Sequence, residues 1–193
     1  MSKPCIHPVR LVAVDGGAGA GKTTFAAKLA LALGGAPVVP MDDFNAFDDL
    51  VEYWPRLEEQ ILSPLFAGKS FRYQKRDWVH DMAGRGLADW REIPFSPLLI
   101  LEGIGAARRQ VASRLAYAVW ISAPSALRLQ RGITRDSGVE DIQSIWERFM
   151  PGEQKFFEED GTRERADLVV DGALPYEADG GVFHVLKERL DGF

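Results

Sequence analysis

Four residues near the amino terminus are spaced for phosphate chemistry. Gly16, Gly21, Lys22 and Thr23 fit the pattern G-x-x-x-x-G-K-[ST], with Gly17, Gly19 and Ala20 among the residues between. Glycines let successive backbone N–H groups turn inward onto phosphate oxygens without Cβ clashes. A helix opening near Lys22 points its positive dipole end at the same anion. Lys22 is placed to reach β- and γ-phosphates, the Thr23 hydroxyl is placed to ligate Mg²⁺, and Thr24 completes the nucleotide-binding set. An apolar run, Leu11 to Val14, precedes the pattern and an Ala/Leu-rich helical stretch, Thr24 to Leu33, follows it. That strand–turn–helix context implies a nucleoside triphosphate with magnesium as the ligand.

Phosphoryl transfer also needs neutralised charge and a place for the nucleophile's proton. Asp42 follows the second apolar run, where a carboxylate can take the proton of an acceptor hydroxyl or bind Mg²⁺ through water. Asp43 is adjacent and caps a turn or shares that role. Glu102 ends the run Leu98–Leu101 and reads as the acidic strand end that orders Mg²⁺. Thr23, Asp42 and Glu102 therefore form the expected metal set. Arg128, Arg131 and Arg135 recur at i, i+3 and i+7, one face of a helix. Planar guanidinium groups suit phosphate oxygens, so this face is expected to close over the triphosphate, with Arg131 and Arg135 catalytic beside Lys22 and Asp42. Asp136 can orient Arg135. His7, His80 and His184 are scattered without metal-ligand spacing.

The elements that must position these groups follow from periodicity. Leu11–Val14, Pro37–Pro40, Leu98–Leu101, Ala118–Ile121 and Leu168–Val170 are nearly all apolar, as strands buried on both faces are. They alternate with helical patterns at Thr24–Leu33, Asp49–Phe66, Ser125–Arg135, Asp141–Phe157 and Val182–Leu190, with Pro55 and Pro64 cutting or bending the second. This predicts an α/β fold of three layers, a parallel sheet with helices on both faces. Asp15, Asp42 and Glu102 all lie at carboxyl ends of strands, where open α/β sheets bind ligands, and are expected to converge near the loop. Ser70–Pro94, bounded by glycines and rich in aromatic and charged residues, breaks the alternation and reads as an inserted hairpin or lid over the acceptor site.

At 193 residues the chain suits one domain, and its net charge of −5, without a lysine run, argues against a general nucleic-acid binder. Its single cysteine, Cys5, allows no internal disulfide and suits a reducing cytoplasm. Neither a leader segment nor an apolar run of ~20 residues is visible, so no membrane association is expected.

The order Gly16–Thr23, Met41-Asp42-Asp43-Phe44, Leu101-Glu102-Gly103, Arg131…Arg135-Asp136 and Ala166–Val170 resembles the uridine kinase-like branch of P-loop kinases. That branch includes uridine/cytidine kinases, phosphoribulokinase and bacterial pantothenate kinase. The resemblance covers about residues 9 to 172 and implies a five-stranded parallel sheet, a mobile arginine-bearing lid near 125–137, and ATP- and Mg²⁺-dependent phosphorylation of a small molecule's hydroxyl. It makes Asp42 the match for the catalytic aspartate, Glu102 for the magnesium-associated glutamate, and Arg131 and Arg135 for the lid arginines. Ala46-Phe47-Asp48 is similar to the Ala-Phe-Asp of nucleoside kinases, which makes Asp48 a sugar contact.

The departures lie on the acceptor side. Asn45 stands in place of the tyrosine that helps place a nucleoside. Arg76 stands where uridine kinases carry a base-stacking tyrosine, and Tyr73 replaces it only by a register shift. Tyr73 and Arg76 are accordingly the expected acceptor contacts beside Asp42 and Asp48. The pattern looks like bacterial uridine kinase-like proteins of unassigned substrate. A nucleoside acceptor is expected first; pantothenate, a sugar or a nucleoside monophosphate are alternatives. A nucleotide-dependent switch without an acceptor is a further alternative, but the Asn/Thr-Lys-x-Asp element of guanine-specific GTPases is missing, since Asn45 is the chain's only asparagine. The loop 171–175 is expected to wall the adenine.

Overall fold

The expected apolar runs are strands in the computed structural model, which describes residues 9–46, 53–78, 80, 86–174 and 183–188. β1 (Arg10–Gly16) lies at the centre, between β5 (Leu98–Glu102) and β6 (Leu115–Ser122), all parallel. β2 (Val38–Pro40) flanks β5, and β7 (Leu168–Asp171) flanks β6, again parallel. The order is β2-β5-β1-β6-β7, with a sixth strand beyond β7. Register sets the level of the strand ends. Val14 and Pro40 both lie opposite Glu102, so the loop after β1, the turn after β2 and the end of β5 share one edge of the sheet.

The sixth strand, β8 (Val185–Glu188), runs antiparallel to β7. It falls inside the segment expected to be a terminal helix, and this is a correction. β7 presents an unpaired row of N–H and C=O groups, and pairing with it outweighs a weak helical pattern in a short, exposed segment.

Alternation along β1 divides the core into two layers. Leu11 and Ala13 pack with Leu99, Leu101, Leu57, Ile61 and Leu65 on one face. Val12 and Val14 pack with Ile100, Val119, Phe25 and Ala26 on the other. The second set includes α1 (Lys22–Ala32), which stops at Gly34 and Gly35, both at positive φ. The first set includes a helical run of three parts: α2 (Trp54–Leu57), a π-helical turn (Glu58–Leu62) and α3 (Ser63–Phe66). Pro64 cannot donate to Gln60, and the helix widens ahead of it, with the Ser63 N–H donating to Glu58 O. The residues before Tyr53 in the expected helix lie outside the described residues.

After β5 come α4 (Arg109–Ala112), β6, α5 (Ser125–Arg135), α6 (Ile142–Asp160) and α7 (Thr162–Arg165). The insertion forms a separate antiparallel pair, β3 (Phe71–Arg76) with β4 (Leu87–Ile93), as expected of a hairpin. Among the described residues no helix is long and apolar enough to cross a membrane.

Candidate active site

The loop after β1 has the shape its glycines permit. Gly16, Gly19 and Gly21 have positive φ, and Gly21 precedes the first turn of α1. A Cβ on Gly16 would lie 2.4 Å from Ile121 O, so the neighbouring strand itself requires glycine there. Lys22 is buried, and its ammonium arches back to donate to Gly17 O at 3.0 Å. The Thr23 hydroxyl donates to Glu102 Oε1 at 3.3 Å, joining α1 to the end of β5. Asp42 lies in the one-turn 3₁₀ helix Met41–Asp43 directly after β2.

These groups line one cavity of about 560 Å³. Gly19, Gly21, Lys22, Thr23 and Thr24 form its phosphate-loop wall, and Asp42 and Glu102 its acidic corner. Arg131 and Arg135 enter from α5. Arg131 is held by carbonyls, donating to Gly172 O at 2.7 Å, Ala173 O at 3.3 Å and Gly19 O at 3.4 Å. Arg135 pairs with Asp136 at 2.6 Å, and Asp136 also accepts from Trp146 Nε1 at 3.1 Å. Burial pushes the Glu102 carboxyl above the usual carboxylate range; the Asp42 charge adds to this, while Lys22 and the Thr23 hydroxyl oppose it. A cation at this corner would relieve the repulsion of two carboxylates. The donor set fits Mg²⁺, which takes hard oxygen ligands and in nucleotide sites needs only one or two carboxylates beside phosphates and water. Among the described residues no cluster of three or more His, Cys, Asp or Glu forms an all-protein cage.

No protein-family model matches the chain, and no curated protein matches it. Solved structures do. A possible uridine kinase from Bacillus stearothermophilus superposes with a TM-score of 0.58 at 19% identity, covering 83% of this chain and 88% of that one. Phosphoribulokinase from Rhodobacter spheroides gives 0.60 at 14% identity over 85% and 70%. A candidate fructose transport system kinase from Silicibacter sp. TM1040 gives 0.55 at 24% identity over 77% and 82%. The chain has the P-loop kinase fold.

Within the P-loop kinase fold, not every expected residue faces the cavity. Gly17 and Ala20 lie behind the lining; Ala20 is fully buried and donates to Gly17 O at 3.1 Å. Asp15 also stays out of the lining, and the expected convergence of three acids reduces to two. Its carboxylate accepts from the N–H groups of Gly16 (2.7 Å), Gly105 (3.2 Å) and Ala107 (2.8 Å) and fixes the loop after β5.

Tyr73 and Arg76, expected at the acceptor, are buried in the hairpin away from the cavity lining. The Tyr73 hydroxyl donates to Asp43 Oδ2 at 2.8 Å and accepts from Arg91 at 3.0 Å. Arg76 donates to Gly86 O at 3.2 Å and stacks 4.7 Å from the Trp78 ring centre. Asp48 lies outside the described residues. The acceptor side of the lining instead carries Asn45, Ala46 and Trp78. Asn45 is buried, and its Oδ1 has no hydrogen-bond partner among the described residues.

Sequence reasoning missed the wall supplied by α6, where Ile142, Ile145, Trp146 and Phe149 line the cavity. The signal was present as an i, i+3, i+4, i+7 stripe. Gly132 makes the close approach of α5 and α6 possible: a Cβ there would lie 2.2 Å from the Trp146 ring. The same stripe continues to Glu153, an acid in an apolar series.

Proposed function

We propose that this chain is an ATP- and Mg²⁺-dependent phosphotransferase that phosphorylates a hydroxyl of a small molecule, with a nucleoside as the first-choice acceptor. The observation that carries the reading is the shared lining: phosphate loop, Lys22, Asp42, Glu102, Arg131 and Arg135 all border one cavity. Lys22 and the loop N–H groups bind the donor's phosphates. Thr23 and Glu102, with Asp42, would hold Mg²⁺, which would supply charge neutralisation for the phosphates. Asp42 takes the proton from the attacking hydroxyl. Arg131 and Arg135 stabilise charge developing on the transferred group, a contribution worth ~10³–10⁵ in rate for arginines in such sites.

A flat acceptor is supported by the Trp78 ring beside Asp42, and a hydroxylated one by the unpartnered Asn45 Oδ1. The matched structures carry the names of a uridine kinase, a phosphoribulokinase and a fructose transport system kinase, so a sugar is the second choice. Incubating the purified chain with ATP, Mg²⁺ and a panel of nucleosides, sugars and pantothenate tests the reading. The expected result is ADP release that depends on one acceptor and drops by ~10²–10⁴ in Asp42→Asn. ADP release at background with every acceptor counts against it, and tight MgATP binding alone would mark a nucleotide-dependent switch.

A further inference from the structure

We propose that the buried Arg128–Glu153 pair is a positioning device that holds the phosphate loop in its anion-receiving shape. The proposal rests on the reading that this loop receives MgATP. Glu153 comes from the fourth turn of α6 and is fully buried. Its Oε1 accepts the backbone N–H of Ala18 at 2.5 Å, and its Oε2 accepts from Arg128 Nη1 at 2.5 Å. The same Nη1 donates to Ala18 O at 3.2 Å. Both polar atoms of Ala18's backbone, the N–H and the C=O, are therefore gripped by one charged pair.

The pair explains the glycine at 17, and the close approach of the α5 backbone explains the one at 19. A Cβ on Gly17 would lie 1.9 Å from Arg128 Nη1 and 3.0 Å from Glu153 Oε2. A Cβ on Gly19, at φ 76°, would lie 2.5 Å from Arg128 O. Neither Arg128, Glu153 nor Gly17 lines the cavity, so the pair acts from behind the loop and touches no ligand there. The Ala18 N–H is already taken by a carboxylate, while Gly19, Gly21 and Lys22 remain on the cavity side. A glycine-rich loop has many conformations to lose. A pair that fixes the two peptides flanking Ala18 in advance lowers the ordering cost when phosphate arrives.

The experiment compares MgATP affinity, read from Trp78 and Trp146 fluorescence, with thermal stability and Ala18 amide exchange. Arg128→Met with Glu153→Leu replaces both buried charges by apolar side chains, a change that commonly preserves folding. The expected double variant melts close to the wild type yet binds MgATP about ten- to a hundredfold more weakly. Glu153→Gln keeps an oxygen for Ala18 and is expected to retain most of the affinity. A folded double variant with wild-type affinity overturns the proposal. If the double variant does not fold, an unprotected Ala18 amide in the wild type, or Glu153→Gln binding MgATP as weakly as Lys22→Ala, overturns it. A wild type that takes no MgATP overturns the proposed function, and Ala18 protection then decides the grip alone.

Discussion

Asp42 and Glu102 are two carboxyl groups at one corner of a cavity, and the ionisation of Glu102 is coupled to what the corner binds. Burial raises the Glu102 carboxyl, Asp42 raises it further, and Lys22 and Thr23 act the other way. In the proposed role, Glu102 ligates Mg²⁺ only when charged. Because its affinity for protons is raised, the charged form is lost on acidification at a higher pH than for an ordinary glutamate. Mg²⁺-dependent nucleotide affinity should therefore fall as pH drops through that raised value. Asp42→Asn removes the like charge and should move the acid limb to lower pH while leaving its shape. Titrating MgATP into both proteins across pH 4–8 measures the limb; limbs that coincide would show that another group controls it.

At the scale of elements, the hairpin is a scaffold for the turn that carries Asp42. The Tyr73 hydroxyl holds the Asp43 carboxylate, Arg56 bridges Gln74 O (2.8 Å) and Asp43 O (2.9 Å), and Trp78 Nε1 donates to Asp42 O at 2.7 Å. Trp78→Phe keeps a ring on the cavity and deletes that last donor. If the hairpin aims Asp42, turnover with the identified acceptor should fall by ~10²-fold while MgATP affinity holds, since a misplacement near 1 Å has that effect. Equal losses in both would place Trp78 in nucleotide binding instead.

The same elements show what a sequence states and what it leaves to packing. The five parallel strands, the phosphate loop and α5 were legible because each is a local pattern: an apolar run, a glycine spacing, an arginine face. Asp42 and Glu102 were legible because strand ends in parallel sheets share one edge. Tyr73 was visible as an aromatic, but its bond to Asp43 depends on how the hairpin docks, which no local spacing encodes. Glu153 lies 135 positions from Ala18. Only its place as an acid on an apolar stripe marked it.

For the whole molecule, Asp15 links folding to pH. It sits at the centre of the sheet, fully buried, tying β1 to the loop after β5. Burial pushes its carboxyl up to about 7, against the pull of three amide donors and Lys22. In the unfolded chain it titrates near 3.8. Between about pH 4 and 7 the folded state therefore binds more protons than the unfolded state, and stability falls as pH rises through that window. The full cost above pH 7 is on the order of 4 kcal/mol for this one group. Glu58, Asp136 and Asp160 are shifted downward by arginine partners and hydrogen bonds, so their contributions appear above the usual carboxylate range and vanish on acidification. The two trends overlap in the wild type, which makes a difference measurement the decisive one. Asp15→Asn keeps an oxygen for Gly16 and Gly105 and removes the titration. Urea unfolding from pH 4 to 8 should give a stability difference, variant minus wild type, that grows steadily in the variant's favour up to about pH 7 and is flat beyond. A difference independent of pH would mean that Asp15 is charged in the folded protein throughout, with its three amide donors outweighing burial.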